Sequence, residues 1–325
     1  MPTQRPLPAT PTSETTTSHC RARTRFAGRE VVRLAFGTMR LAGAMSETVR
    51  DCLHAAADSG IDVLDTAPIY GFGGPGFGDV EERLGAAWAD EPALRERFTL
   101  VTKVGLLPDA SYDSSPDTLI SSCEASLRRL RTDRLDVLLV HRPDHLAGHR
   151  AVADALDRLV ASGKVGAVGV SNHAPAQFRA LGRWLSAPLA TNQIEFSPLA
   201  IAPLGDGTLD QCEEMGIPPM AWSPLGGGRL AGTSDGASTS DGTNGNADPR
   251  TRAVRAALGT IADRHGVGLD VAALAWLLAH PSGVIPILGT ARVERIRSSV
   301  EALSVTVDRA DWYTVLVAAR GSPMP

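Results

Sequence analysis

Ile61-Asp-Val-Leu-Asp-Thr-Ala-Pro-Ile-Tyr-Gly71 is a short apolar strand that runs straight into a loop and leaves two ionisable side chains, Asp65 and Tyr70, where it ends. A carboxylate at the end of a hydrophobic strand has to be paired or chemically employed, because burying it alone is costly. Taken alone, the stretch admits two readings: a capping Asp beside a packing Tyr, which is common turn chemistry, or a pair of functional groups. What decides between them is whether the rest of the chain supplies partners.

Outward from this stretch the same theme recurs. A helix at 47–58 leads into the strand at 61–65; helix and strand then pair at 79–90 and 98–103, 117–130 and 135–141, 150–162 and 165–171, 175–185 and 189–194, and 207–215 and 217–223. Helices at 250–265 and 269–279 bring the chain to a strand at 284–288, and two more at 292–301 and 308–320 close it. Upstream, residues 21–36 alternate around Gly28 as a hairpin that feeds a strand ending at Gly37-Thr38-Met39. Eight apolar strands alternating with helices predict an α/β fold, a (β/α)8 TIM barrel in a single domain over 21–325, with an open doubly wound sheet as the runner-up. Residues 1–20, rich in Thr, Ser and Pro, read as a disordered tail without the apolar segment of a secretory signal, and the Gly/Ser/Asn/Asp-rich stretch at about 230–250 reads as a flexible loop.

Composition narrows the function. A net charge of -4 provides no basic field for nucleic acid, and no apolar run reaches the roughly 20 residues of a membrane span. Four cysteines lie far apart with no Cys-x-x-Cys pair, so no metal site or disulfide framework is expected and the thiols read as reduced and cytoplasmic. Only two lysines, Lys103 and Lys164, stand against thirty arginines. Lys164 sits in a helix-ending Ala-Ser-Gly-Lys-Val-Gly, where a cation suits the helix dipole, whereas Lys103 ends a strand and is a candidate for work that Arg cannot do.

The strand ends together carry Gly37 and Thr38, Asp65 with Tyr70, Lys103, His141, Ser171 and Asn172, Gln193, Ser223, and Gly289 with Thr290. A barrel collects these at one mouth. A phenol titrates near 10 in water, so Tyr70 needs help to serve as an acid. The Lys103 ammonium is expected to lower the Tyr70 pKa, with Asp65 fixing the lysine and His141 bonding the same reacting oxygen. This is a proton donor for a developing alkoxide.

In these residues the chain resembles the aldo-keto reductase superfamily over roughly 31–300. The resemblance rests on Gly60-Ile-Asp-Val-Leu-Asp-Thr-Ala-Pro-Ile-Tyr70-Gly, Val101-Thr-Lys-Val, Leu139-Val-His-Arg-Pro-Asp144, Gly169-Val-Ser-Asn172, Asn192-Gln193 and Trp222-Ser-Pro-Leu-Gly226, and Asp65, Tyr70, Lys103 and His141 match the family's catalytic tetrad. It implies NAD(P)H-dependent reduction of an aldehyde or ketone, reversible as alcohol or sugar oxidation. It also leaves open a cofactor-binding regulatory subunit on the same barrel, as the potassium-channel β-subunits resemble. Ser171, Asn172 and Gln193 match positions that hold the nicotinamide carboxamide, and Ser223-Pro-Leu225-Gly226-Gly-Gly228 matches the loop at the pyrophosphate; Gly37 and Thr38 are placed with the same cofactor site. The family often clamps the 2'-phosphate with a cation, then Ser or Thr, then an Arg five residues on. Here the series is Gly289, Thr290 and Arg295, so the first cation is missing and Arg292 is the replacement. Ser298 and Ser299 stand where many members carry a carboxylate or amide for the adenine. NADP(H) is expected over NAD(H).

Gly71-Phe-Gly-Gly-Pro-Gly76 fits G-x-G-x-x-G, but Pro75 and a helix onset delayed to about Asp79 argue against a dinucleotide fingerprint. The segment is expected to wall the substrate pocket through Phe72 and Phe77, with Met39 opposite. His141, Asp144, His145 and His149 read as a solvated loop, since Pro143 prevents a helical ligand pair.

Overall fold

The computed structural model describes residues 22–109, 111–231 and 248–325. In chain order these form β1 (Arg23–Phe26), β2 (Arg29–Val32), β3 (Ala35–Gly37), α1 (Ser46–Asp58), β4 (Val63–Asp65), α2 (Asp79–Asp90), α3 (Pro92–Glu96), β5 (Thr99–Val104), α4 (Pro116–Leu130) and β6 (Leu135–Val140). They continue with α5 (His149–Ala161), β7 (Val165–Ser171), α6 (Pro175–Gly182), β8 (Asn192–Glu195), α7 (Thr208–Glu214), β9 (Met220–Trp222), α8 (Pro249–His265), α9 (Leu269–Leu278), β10 (Ile285–Leu288), α10 (Val293–Ser299) and α11 (Arg309–Arg320). The tail at 1–20 and most of the loop expected at about 230–250 lie outside the described residues.

Strands β3 to β10 form one closed parallel barrel, sealed where Ile287 and Leu288 of β10 pair with Ala35 and Phe36 of β3. The barrel is the expected one, and the open sheet is not. Gly37 is needed at the seal, because a Cβ there would lie 2.6 Å from Ile287 Cγ2. The antiparallel hairpin β1–β2 contributes Phe26 and Val31 to the barrel interior, packed with Ala35, Val63, Val137 and Ile285, the lower residues of their strands. It plugs the floor and leaves the opposite mouth open.

Period-two alternation then places the polar groups. Val63, Val101 and Leu139 point into the barrel, so Asp65 and Lys103, two residues on, and His141, just past its strand, occupy the next layer up. The intervening residues face outward onto the helices, as Leu64, Leu100, Leu138 and Val140 do. Thr102 does likewise: its hydroxyl donates to buried Glu81 on α2 at 2.7 Å, and the other Glu81 oxygen pairs with Arg129 of α4 at 2.8 Å. That pair fastens α2, α4 and β5 together behind the lysine.

The helix α2 crosses α4 at Gly85, where a Cβ would run into the Arg129 carbonyl. Gly85→Ala is therefore expected to lower the melting temperature by several degrees, following an overpacking cost of about 1–3 kcal/mol. Gly259→Ala, within α8 and with open space around its Cβ position, should leave it unchanged or slightly raised. Thermal unfolding of the two variants, followed by circular dichroism, compares them directly.

Candidate active site

Lys103 is fully buried at the end of β5. Its ammonium donates to Asp65 Oδ1 and Oδ2, each at 2.8 Å, to the Thr66 carbonyl at 2.9 Å and to the Tyr70 hydroxyl at 2.9 Å. Four acceptors around three N–H groups leave the lysine no freedom. Tyr70 in turn donates to Asp65 Oδ2 at 3.2 Å. Three of the four expected catalytic residues, Asp65, Tyr70 and Lys103, are bonded to one another, but the electrostatics differ in sign from the expectation. Burial and the Asp65 carboxylate hold the Tyr70 phenol well above its ordinary value, with Arg142 opposing them. The Lys103 N–H on the phenol oxygen favours the ionised form, but burial and the neighbouring carboxylate outweigh it. Burial also pulls the Lys103 ammonium below its usual value, and Asp65 works against that pull.

His141 lies beside them, with its pKa pulled down to about 2 by burial, then by Lys103 and Arg142. The ring is neutral. Its Nδ1 is buried without a partner, which leaves Nε2 as the nitrogen that serves the cavity His141 lines. A neutral imidazole with its proton on Nε2 is a hydrogen-bond donor there.

A cavity of about 530 Å3 opens above this cluster, running from Tyr70, His141 and Gln193 to Thr290, Arg292 and Arg295. Ser171, Ser223, Leu225 and Gly289 also line it, as does Gly37. Gln193 joins the tetrad through a contact that strand periodicity does not reveal: its amide donates to Asp65 Oδ1 at 2.7 Å, and its second N–H faces Met220 Sδ at 3.8 Å. A carboxylate accepts only from the NH2 end, so the group Gln193 can offer a ligand is Oε1.

Several expected cofactor residues are turned inward instead. Thr38 is fully buried and its hydroxyl donates to the Asp65 carbonyl at 3.0 Å, clamping β3 to β4. Asn172, in the left-handed conformation at φ +55°, donates to Ser171 Oγ at 2.7 Å and accepts from Trp222 Nε1 at 3.0 Å. Its oxygen and one of its two N–H groups orient neighbours, which leaves the second N–H. Gly226 packs under Leu199, and it is Gly227 and Gly228 that present bare backbone to the cavity. Of the expected substrate-pocket residues only Met39 lines the cavity. Phe77 sits against the Arg129 guanidinium at 5.8 Å, on the α4 side, and Phe72 is half exposed outside the cavity wall. The 71–78 segment runs through successive turns to a left-handed Gly78 before α2, so its aromatics follow the turns rather than the barrel axis. The sequence reading also missed Arg40, Arg142, Trp222 and Asp270 as lining residues. Arg142 and Trp222 both stood in quoted motifs; Arg142 lies past the last ladder pair of its strand, where parity gives no direction, whereas Trp222 ends β9 two residues after inward-facing Met220 and was within reach of parity.

The model of the Aldo/keto reductase family matches residues 33–316. The 6-dehydroglucose reductase of Novosphingobium aromaticivorans is 48% identical, covering 92% of this chain and 95% of its own length. The 6-dehydroglucose reductase of Agrobacterium fabrum is 39% identical over 90% of this chain and 95% of its own. Among solved structures, the glycerol dehydrogenase of Gluconobacter oxydans superposes with a TM-score of 0.80 at 26% identity, covering 94% of this chain and 98% of that one. An aldo/keto reductase from Klebsiella pneumoniae in complex with NADP and acetate gives 0.73 at 28% identity, covering 94% and 97%.

Two outcomes follow. Lys103→Met leaves Asp65 as a buried carboxylate without its cation and should destabilise by about 3–5 kcal/mol, while adding Asp65→Asn recovers much of the loss; calorimetric melting of the single and double variants measures both. In the carbonyl-reducing direction, kcat/KM should be flat from pH 5 to 9. His141 stays neutral throughout that range, and Tyr70 stays protonated because its pKa is raised. In the alcohol-oxidising direction, where the phenol must first lose its proton, the rate should rise with pH. A limb near 6.5 in the reduction profile would place a titrating His141 in the reaction.

Proposed function

The chain belongs to the aldo/keto reductase family, and from that premise we propose that it is an NADPH-dependent reductase of small, oxygen-rich aldehydes and ketones, running in reverse as an alcohol or sugar dehydrogenase. The observation that carries this reading is the Lys103 ammonium fixed between Asp65 and the Tyr70 hydroxyl at the base of an open cavity. Two relatives named for 6-dehydroglucose support a sugar aldehyde as substrate. Similar structures solved in complex with NADP and NADPH support that cofactor over NAD(H).

The lining residues fit a nicotinamide dinucleotide. Gln193 offers an acceptor for a carboxamide; Gly227 and Gly228, at φ +71° and +95° with open space at their Cβ positions, admit close backbone approach by phosphates. Arg292 and Arg295, with Thr290, place cations and a hydroxyl at the far end, beside Ser299. When bound, the cofactor supplies a hydride to the carbonyl carbon. The protein supplies the proton. The Tyr70 O–H turns about its C–O bond from Asp65 Oδ2 toward the substrate oxygen and transfers its proton there. Lys103 keeps its bond to the phenol oxygen and stabilises the charge left behind, while Asp65 and the Thr66 carbonyl hold the lysine in place. His141 donates from Nε2 to the same substrate oxygen and orients the carbonyl. As the carbonyl carbon gains hydride and the oxygen gains the proton, the product is the alcohol.

No helix among the described residues is long and apolar enough to cross a membrane. Cys52, Cys123 and Cys212 are buried and unpaired, which fits a reducing compartment, and we place the enzyme in the cytoplasm.

Tyr70→Phe should reduce turnover by about 10²–10⁴-fold and leave NADPH binding, read by nucleotide fluorescence, within a few-fold of the parent. The assay is NADPH oxidation against aldehydes, ketones and sugar lactols, repeated with NADH. Undiminished turnover would remove Tyr70 from the mechanism, and cofactor binding with no carbonyl reduced by the parent would favour the regulatory-subunit reading.

A further inference from the structure

Arg142 follows His141 directly and lines the same cavity, half-buried. Its guanidinium is held in one orientation. One terminal nitrogen, NH1, donates to the His141 carbonyl at 3.3 Å and to Ser171 Oγ at 3.4 Å, and the group lies over the Trp222 ring at 5.7 Å. The ring is itself locked by the Asn172 side chain at 3.0 Å. Both of the NH1 bonds are long and go to neutral oxygens. Asp144, two residues away, is not available as a counterion, since it accepts from the Ser114 and Leu146 backbone amides at 2.8 and 2.9 Å. Asp65, in the same cavity, is committed to Lys103. Among the described residues no carboxylate pairs with Arg142, and its Nε and NH2 have no hydrogen-bond partner.

Those two nitrogens form the edge of a guanidinium that presents parallel N–H groups to two oxygens at once. A half-buried cation with that edge open offers two N–H groups that a ligand's oxygens can take over from water. The phosphates of a dinucleotide have a separate set of cations at the β10 end of the cavity, Arg292 and Arg295. Arg142 stands at the other end, beside His141. We propose that Arg142 is a specificity-determining residue that binds paired oxygen acceptors on the substrate, either vicinal hydroxyls or a carboxylate near the reacting carbonyl. The inference rests on the carbonyl-reductase reading above and names the substrate class for that site. The partner side of the contact is an oxygen pair two to four bonds from the carbonyl carbon, with the carbonyl itself on Tyr70 and His141. An alkyl chain there leaves the edge unpaired and loses the contact.

Two matched substrate pairs test the proposal with NADPH: D-glyceraldehyde against propanal, and succinic semialdehyde against butanal. In the parent protein the oxygen-rich member of each pair should have a kcat/KM at least 10-fold higher. Arg142→Met should reduce both ratios at least 10-fold, mainly through KM, with melting temperature and circular dichroism reporting the fold. Arg142→Lys separates the two sources of oxygen. A point charge without the fork should keep much of the carboxylate preference and lose the diol preference. Raising the salt concentration should erode the succinic semialdehyde ratio and leave the glyceraldehyde ratio in place. Parent ratios near one, or ratios in Arg142→Met within twofold of the parent, overturn the proposal while the reductase reading stands. Absence of NADPH oxidation with all four aldehydes overturns both.

Discussion

A fully buried lysine is the constraint on which this site depends. The Lys103 ammonium, taken out of water at the end of β5, is tolerable only because four oxygens meet it, two of them from the Asp65 carboxylate. Those oxygens come from the adjacent strand and the loop that leaves it, so the ion pair requires β4 and β5 to be in register, and their pairing of Asp65 with Val101 provides that. The hairpin plug below and the Glu81–Arg129 pair behind β5 then hold the two strands from the floor and from the helix side. Remove the lysine's partners and a buried charge is left uncompensated above the barrel core.

The same groups set the chemistry. Because burial and the Asp65 carboxylate hold its pKa high, Tyr70 keeps its proton in the resting protein and acts as a donor. The charge that appears when it gives that proton up is met by a Lys103 N–H already 2.9 Å away. This preorganisation needs no rearrangement of the protein beyond rotation of a hydroxyl. His141 contributes in the neutral state because burial and two neighbouring cations exclude a third charge. Outside this inner shell, Ser171, Asn172 and Trp222 hold one another through side-chain hydrogen bonds, and that framework keeps the guanidinium of Arg142 oriented.

Much of the fold was legible because a closed parallel barrel demands a local pattern that survives any tertiary context. Each strand is an apolar run, each crossover a helix, and the strand that ends at Asp65 is recognisable without its neighbours. The tetrad was legible for a related reason: an Asp, a lone strand-end Lys and a His fall on successive strands, and topology alone brings strand ends to one mouth. The short helix α3 and the exact strand limits were not, since Pro92–Glu96 is too brief to show a period and the strands at 189–194 and 217–223 pair only over Asn192–Glu195 and Met220–Trp222. Phe72 and Phe77 were misplaced because nothing in their spacing tells which way a run of glycine turns will face.

By itself the sequence determined which residues end the strands, and therefore which polar groups the mouth of the barrel can contain. The tertiary structure alone decided which of those groups bond one another and which are left for a ligand. Gln193 reaches Asp65 across 128 residues of chain, Thr38 turns its hydroxyl inward, Asn172 links Ser171 to Trp222, and Arg142 keeps an edge open. A hydrogen bond is settled by whichever donor and acceptor are nearest in space. Periodicity along the chain fixes only the direction in which each strand residue starts out.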